Sequence, residues 1–413
     1  MAVSDTISPA SLPPLWRQRE FMLLWGGQVV SSLGSHASGM VVPLLILQMT
    51  NSPSAMGLAS ALVLVPYILL SLPVGVWVDR WDRQRVMVWS DLGRAGASMS
   101  VLLALAFDAL TLPHLYAVML VQGTMMVFFN LAEVAALSRV VATPQLPQAI
   151  GQNQAGHSAT SILGPALGTL MFQHLGRALP FALDTLTYLA SAWSIRALRT
   201  PLNSAPSGPA RNLRSEIMVG LRWLWGQALV RRMAVITCLS NFVSAALPLL
   251  MIVQSKALGA GEAQIGLVFS LGGVGGLLGA LVGGWVAARL SFGVVIAGTL
   301  AVQALMLPLI AWATHPWALA AVYAVSMCCG PIYNVVQLSR RLAMIPDGLQ
   351  GRVNAAFRLF ANALYPLGAL LCGWLLEHSG AAVAVGVFAG VMALVAGGAA
   401  ASRVVRREGL APG

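Results

Sequence analysis

The chain has 413 residues, 58% of them hydrophobic and 9% charged, with a mean hydropathy of +0.78 and a formal net charge of +11. Soluble domains are about 45–50% apolar and about 25% charged, so this composition excludes a water-soluble fold and points to a polytopic membrane protein. A pI near 10.5 does not signal a nucleic-acid partner here, because the basic residues sit at the ends of apolar runs, where membrane topology requires them.

A membrane helix needs about 20 mostly apolar residues to cross about 30 Å of hydrocarbon. In chain order such runs fall at 20–48, 54–78, 86–107, 114–138, 150–173, 179–197, 231–254, 263–286, 293–312, 317–338, 351–376 and 382–402, which predicts twelve spanning helices. Residues 1–19 are expected to be a cytoplasmic segment rather than a cleavable leader, since the first apolar run continues for a full span. The stretch "RTPLNSAPSGPARNLRSE" has the Pro, Ser, Gly and Asn content of a flexible linker. A linker at 199–228 then separates a six-helix bundle at 20–198 from a second at 229–403, with a cytoplasmic tail at 404–413.

Orientation follows from the arginines. With the N-terminus in the cytoplasm, Arg17, Arg19, Arg80, Arg83, Arg85, Arg139, Arg289, Arg340, Arg341, Arg403, Arg406 and Arg407 are cytoplasmic, and so are the linker arginines. Of the 24 Lys and Arg residues only Arg177 and Lys256 fall outside. The cysteines Cys238, Cys328, Cys329 and Cys372 lie in apolar runs without metal-ligand spacing, which makes them small core residues. The two halves also echo each other: "LGPALGTLMFQHLG" (163–176) resembles "LYPLGALLCGWLLEHSG" (364–380), and "GVWVDR" (75–80) resembles "GGWVAA" (283–288). Two pseudo-symmetric halves suggest a transporter with its site between them at mid-membrane.

One stretch stands out in so apolar a chain. "LPVGVWVDRWDRQRVMVW" (72–89) places Asp79, Arg80, Asp82, Arg83 and Arg85 between two apolar runs. Inside-positive anchoring accounts for the arginines but not for Asp79. A helix N-terminus, with free N–H groups and partial positive charge, would hold it, and the run at 351–376 begins on the same side. Asp79 docked there would bridge the halves as a latch on the cytoplasmic side, with Gly75 one turn earlier permitting close approach. The other reading is a solvated turn.

These residues resemble a known family. "GVWVDRWDRQR" is similar to the loop 2–3 signature G-x-x-x-D-R-x-x-R of the major facilitator superfamily, and "ILGPALGT" (162–169) resembles the G-P-x-x-G signature of its antiporter branch. "PFALDTLTYLASA", "VGLRWLW" and "GRVNAAFRLFANALYPLGALL" resemble the subgroup of macrolide-efflux and enterobactin-type exporters, and the likeness runs over about residues 15–400. It implies the major facilitator fold, a gating latch that includes Asp79 and Arg83, and a fifth helix shaped by Gly164, Pro165 and Gly168. Thr169 replaces the second glycine of that pattern. Where many relatives carry an acid after the first-helix glycine, Gly34 is followed by Ser35 and His36.

A charge at the centre of a spanning helix costs roughly 2.5–3.5 kcal/mol, so buried ionisable groups are functional candidates. For proton coupling these are Asp184, Glu133, His36 and the pair Asp91 and Arg94, three apart on one helical face. Each also has a structural reading: a hydrogen-bonded acid, an interfacial pair of Glu133 with Arg139 or Arg85, a packing histidine, a fixed ion pair. Arg358 is a cation that clamps Asp79 or faces the cavity. Gln28, Asn130, His157, Asn241, Asn334, Gln337 and Tyr365 are the polar candidates for a substrate cavity, equally readable as helix-packing residues.

The expected protein is therefore an all-α polytopic transporter in the bacterial inner membrane, monomeric, with both termini cytoplasmic. It exports small amphipathic organic compounds in exchange for protons by alternating access. No cofactor, metal or nucleic acid is expected, and no catalytic constellation or Walker loop is present in the sequence. The alternatives are a narrow-range siderophore or metabolite exporter, or a lipid flippase or non-transporting sensor.

Overall fold

The computed structural model describes residues 13–203, 213–346 and 349–402, and these are almost wholly helical. The N-terminal half contains α1 (Arg19–Thr50), α2 (Pro53–Arg80), α3 (Arg83–Ala106), α4 (Leu112–Val140), α5 (Leu146–His174) and α6 (Leu179–Arg196). The C-terminal half contains α8 (Ala228–Ser244), α9 (Leu247–Ala257), α10 (Glu262–Arg289), α11 (Phe292–Trp312), α12 (Pro316–Met344), α13 (Gln350–Asn362), α14 (Tyr365–His378) and α15 (Gly380–Ala401). Between them lies α7 (Leu213–Gly226).

Most helices stop and start for local reasons. Ser52 caps α2, Asp82 caps α3 and Thr111 caps α4, each side-chain oxygen accepting a backbone N–H of the first turn. The runs predicted as single helices at 231–254 and 351–376 are each broken once. Pro248 and Pro366 explain the breaks. A proline lacks its own N–H and its ring crowds the carbonyl four residues earlier; those residues are Ser244 and Asn362, the last of α8 and α13.

Among the described residues nine helical stretches are long and apolar enough to cross a membrane. Three of the twelve expected spans fall short: α3, which holds Asp91 and Arg94; α5, rich in Gln, Asn and His; and α6, which holds Asp184. Asp91, Arg94 and Asp184 are buried by neighbouring helices, whereas Gln154 and His157 of α5 are exposed.

In the N-terminal half α1 packs on α5 and α6, α2 on α4, and α3 on α4 and α6. In the other half α10 packs on α12, α11 on α12 and α15, and α8 against α13, α14 and α15. The halves meet mainly through α5 on α10 and α2 on α14. Arg80, Arg139, Arg196 and Arg289 mark one end of the molecule, called here the basic end. The α1–α2 turn and the starts of α10 and α15 mark the far end.

The expected flexible linker is helical from Leu213 onward. In α7, Leu224 is fully buried, and a Cβ built on Gly220 would stand 2.5 Å from the Arg352 carbonyl, so the helix lies close against α13. The start of the linker is tied down too: Glu20 accepts the N–H groups of Arg199 and Thr200 at 2.8 and 3.1 Å. Linker residues 204–212, the first twelve residues and the tail with Arg403, Arg406 and Arg407 lie outside the described residues.

Candidate transport site

A cavity of about 710 Å³ opens within the N-terminal half, walled by α1, α3, α4 and α5. Six residues expected from the sequence meet there: Gln28 and His36 from α1, Arg94 from α3, Asn130 and Glu133 from α4, and His157 from α5. Trp25 and Phe129 supply aromatic wall. The His36 and His157 rings lie 5.2 Å apart, centre to centre. Glu133 accepts a hydrogen bond from Asn153 Nδ2 at 3.1 Å, with the Gln28 side chain beside it. Its described partners are neutral amides, and no ion pair to Arg139 or Arg85 is found among the described residues. The cavity runs from His36 at mid-helix to Ser138 and Leu146 near the basic end.

Behind this wall is a buried polar network. Arg94 Nη2 donates to Asp91 Oδ1 at 2.5 Å, three residues back on the same face of α3. The guanidinium lies between two rings, 4.6 Å from the centre of Phe129 and 4.5 Å from that of Tyr188. Asp184, 1% exposed, accepts from Ser38 at 2.9 Å and Ser98 at 2.6 Å through Oδ2. Gln122 donates to Ser98 at 3.0 Å and accepts from Tyr188 at 3.3 Å, and the Tyr188 hydroxyl lies 2.8 Å from Ser35. Four helices are joined this way, so Asp91, Arg94 and Asp184, read separately from the sequence, belong to one cluster.

The helix-5 signature has a double role in packing. A Cβ on Gly164 would stand 2.3 Å from His36 Cβ, and one on Gly168 2.2 Å from the Ala37 carbonyl, so both glycines seat α5 on α1. The opposite face of the same turn meets the other half. The Pro165 carbonyl accepts the Thr169 hydroxyl at 2.7 Å, and both groups press against Gly266 of α10. Thr169, the departure from the family pattern, is thus an inter-half contact.

Of the expected latch residues, Asp79 is the last residue but one of α2 and its side chain lies outside the described residues. A Cβ on Gly75 would meet nothing within 4 Å, so the close approach expected there is absent from this structure. Arg80 is exposed. Arg83 turns to its own half, donating to the Leu202 carbonyl at 3.1 Å. Arg358 does cross between halves, donating to the Tyr67 hydroxyl at 2.7 Å. The C-half cavity candidates do not join the N-half cavity: Asn241 bonds the Ala361 carbonyl at 3.0 Å, Gln337 is buried, Asn334 is exposed, and Tyr365 begins α14.

Sequence reasoning missed the far-end seal. Glu377, in the last turn of α14, accepts from the Ser52 hydroxyl and from the Ser54 N–H at 2.9 Å, at the first turn of α2. Gln173, in the last turn of α5, accepts from the Ala263 N–H at 2.8 Å, at the first turn of α10. Gln48 adds a bond to Glu262 at 3.0 Å, and Lys256 pairs with the same carboxylate at 2.5 Å. A signal existed: "QHLG" and "EHSG" end the two echoing stretches and supply both acceptors.

Two packed helical halves, membrane-length apolar helices and an ionisable cavity among them define a multi-pass membrane transport protein. The chain belongs to the Major Facilitator Superfamily, whose sequence profile matches residues 24–339. It is 26% identical over 392 residues to the multidrug efflux pump Tap of Mycolicibacterium fortuitum, covering 87% of this chain and 90% of Tap. It is 26% identical to macrolide efflux protein A of Streptococcus pyogenes over 186 residues, 45% of this chain and 46% of that protein. The fold matches the nucleoside transporter NupG with a TM-score of 0.76 at 12% identity, over 91% of this chain and 98% of NupG.

Proposed function

We propose that this protein is a proton-driven exporter of small amphipathic organic compounds in a bacterial inner membrane. All twelve helical segments cross the bilayer, counting α8–α9 and α13–α14 as one each, and the basic end faces the cytoplasm. The cavity of about 710 Å³ carries this reading: it has the size of an organic-ligand site and combines aromatic wall with a few ionisable and amide groups. The halves are closed against each other at the far end by α5 on α10 and α2 on α14, so cargo enters from the cytoplasm. The acids Asp184 and Glu133 and the Asp91–Arg94 pair supply groups for proton exchange, and His36 borders them. The efflux activity in the names of Tap and macrolide efflux protein A supports the direction of transport.

Energy supply is adequate, at about 2.3 kcal/mol per charge per 100 mV and about 1.4 kcal/mol per unit of pH gradient. The test is uptake of ethidium or erythromycin into proteoliposomes with an imposed pH gradient. Accumulation that follows the gradient is expected; flux indifferent to it removes the antiport reading.

A further inference from the structure

We propose that Asp184 is the carboxylate that carries the transported proton, and that Arg94 with the Ser35–Tyr188 pair is the partition between its chamber and the cargo cavity. This rests on the proton-driven reading above and goes further, naming the acid, the number of protons and the place where coupling occurs.

The first observation is a second void of about 180 Å³ in the same half, lined by Asp184, Ser38, Ser98, Gln122 and Tyr188. Its apolar remainder includes Val42, Val118 and Phe181, which lie in the far-end portions of α1, α4 and α6. The cargo cavity reaches the basic end instead. Ser35, Arg94 and Met126 line both spaces. One thin wall therefore separates a chamber on the far side from a cavity on the basic side. The chamber has room and hydrogen-bond partners for water.

The second observation is the charge count. Three ionisable groups are buried together: two carboxylates and one guanidinium. Arg94 is committed to Asp91 at 2.5 Å and held between two rings. Asp184 has only hydroxyl donors, both on Oδ2. Its Oδ1 is buried without a partner among the described residues, and lies where a Cβ on Gly34 would come within 3.1 Å. A single proton on Asp184 makes the cluster neutral; Asp91 Oδ2 is likewise buried without a partner among the described residues, but that carboxylate is already paired with Arg94 through Oδ1. The charged or titratable groups facing Asp184 are Asp91 and Arg94 from α3 and Tyr188 from α6; α1 and α4 present hydroxyls and an amide.

The remaining candidates face elsewhere. Glu133, His36 and His157 line the cargo cavity. In the cycle, Asp184 takes a proton from water on the far side and later releases it across the partition to water in the cargo cavity. Once it is anionic, Arg94 is shared between two carboxylates. Any shift of the guanidinium moves Phe129, part of the cargo-cavity wall, and Tyr188. That contact is how the proton and the cargo sense each other.

The test uses full-length protein in proteoliposomes. For Asp184→Asn, accumulation driven by a pH gradient should fall tenfold or more while ethidium counterflow at equal pH persists. Tyr188→Phe, which keeps the ring over Arg94, should slow gradient-driven transport several-fold more than counterflow. An infrared difference spectrum between acid and alkaline samples should show a protonated-carboxyl band in the wild type that Asp184→Asn removes and Glu133→Gln retains. A band unchanged in Asp184→Asn, or gradient-driven accumulation within twofold of wild type, overturns the assignment. A band that disappears in Asp184→Asn, in a wild type whose flux ignores the gradient, upholds the proton site and removes the antiport reading instead.

Discussion

Glu377 at the end of α14 sits on the first turn of α2 in the opposite half, accepting the Ser52 hydroxyl and the Ser54 N–H. A carboxylate on a helix N-terminus satisfies orphan N–H groups and meets the positive end of the helix dipole. Glu377 is exposed, so solvent screening reduces such charge-assisted bonds to about 1 kcal/mol. Glu377→Ala should therefore shift the balance toward a far-end-open state severalfold. Spin labels at Asn51 and Ser379 would report this as a new longer distance in double electron–electron resonance. An unchanged distribution would mean that the carboxylate does not hold the seal.

The neutral counterpart should matter less. Gln173 makes one bond to the Ala263 N–H, and a neutral hydrogen bond contributes about 0.5–1.5 kcal/mol. Gln173→Ala should move the same distance distribution in the same direction by less than Glu377→Ala. The two sites are independent, so the double variant should sum the effects. A larger effect from Gln173 would contradict the ranking by charge.

The two seals also show how far the sequence could be read. Composition and arginine placement fixed the membrane class and the basic end, because both are sums over many residues. The cluster of Asp91, Arg94 and Asp184 was legible as rare charges in apolar runs, but not as a cluster, because α3 and α6 contact each other across ninety residues of sequence. Pro248 and Pro366 were visible, yet whether a proline is accommodated inside a helix, as Pro165 is within α5, or breaks it depends on the packing of its neighbours. Glu377 was overlooked because it lies at a helix end, where a charge is unremarkable. Its meaning depends on α2 standing opposite, a relationship between halves that no local pattern carries.

At Gly266 the inter-half contact is steric. A Cβ there would fall 1.8 Å from Thr169 Oγ1 and 2.6 Å from the Pro165 carbonyl. Overpacking of this kind costs about 1–3 kcal/mol. Gly266→Ala should push α5 from α10 and favour far-end opening. Adding Thr169→Ala should recover part of the loss by relieving the side-chain clash, while the clash with the carbonyl remains. Spin labels at Asn51 and Ser379 would follow both variants; a distance distribution unchanged in Gly266→Ala would remove this steric account.

Glu133 tests the chemistry of the cargo. Its carboxylate faces the cavity and is held by neutral amides, so a positive charge on the cargo is its natural complement. Glu133→Gln removes a charge-assisted interaction of about 1.5–3 kcal/mol, a loss of about tenfold or more in affinity. Calorimetry should show that loss for ethidium and little change for a neutral compound of similar size. Equal losses for both would assign Glu133 to cavity shape rather than charge recognition.

Breaking a buried pair by removing one partner costs about 3–5 kcal/mol, because the other charge is left uncompensated, whereas replacing both with apolar groups is often neutral. Asp91 is fully buried and Arg94 is 7% exposed. With Asp184 protonated, Asp91→Asn leaves Arg94 uncompensated and should lower the melting temperature in detergent more than the double variant Asp91→Leu, Arg94→Met does; with Asp184 anionic, Arg94 keeps a carboxylate partner. Once Arg94 is gone, the charged form of Asp184 loses its nearest cation. The double variant should accordingly recover stability at acid pH, where Asp184 holds its proton, and lose it as the pH rises. A double variant no better than Asp91→Asn at every pH would mean that Arg94 stabilises the bundle through Phe129 and Tyr188 rather than through Asp91.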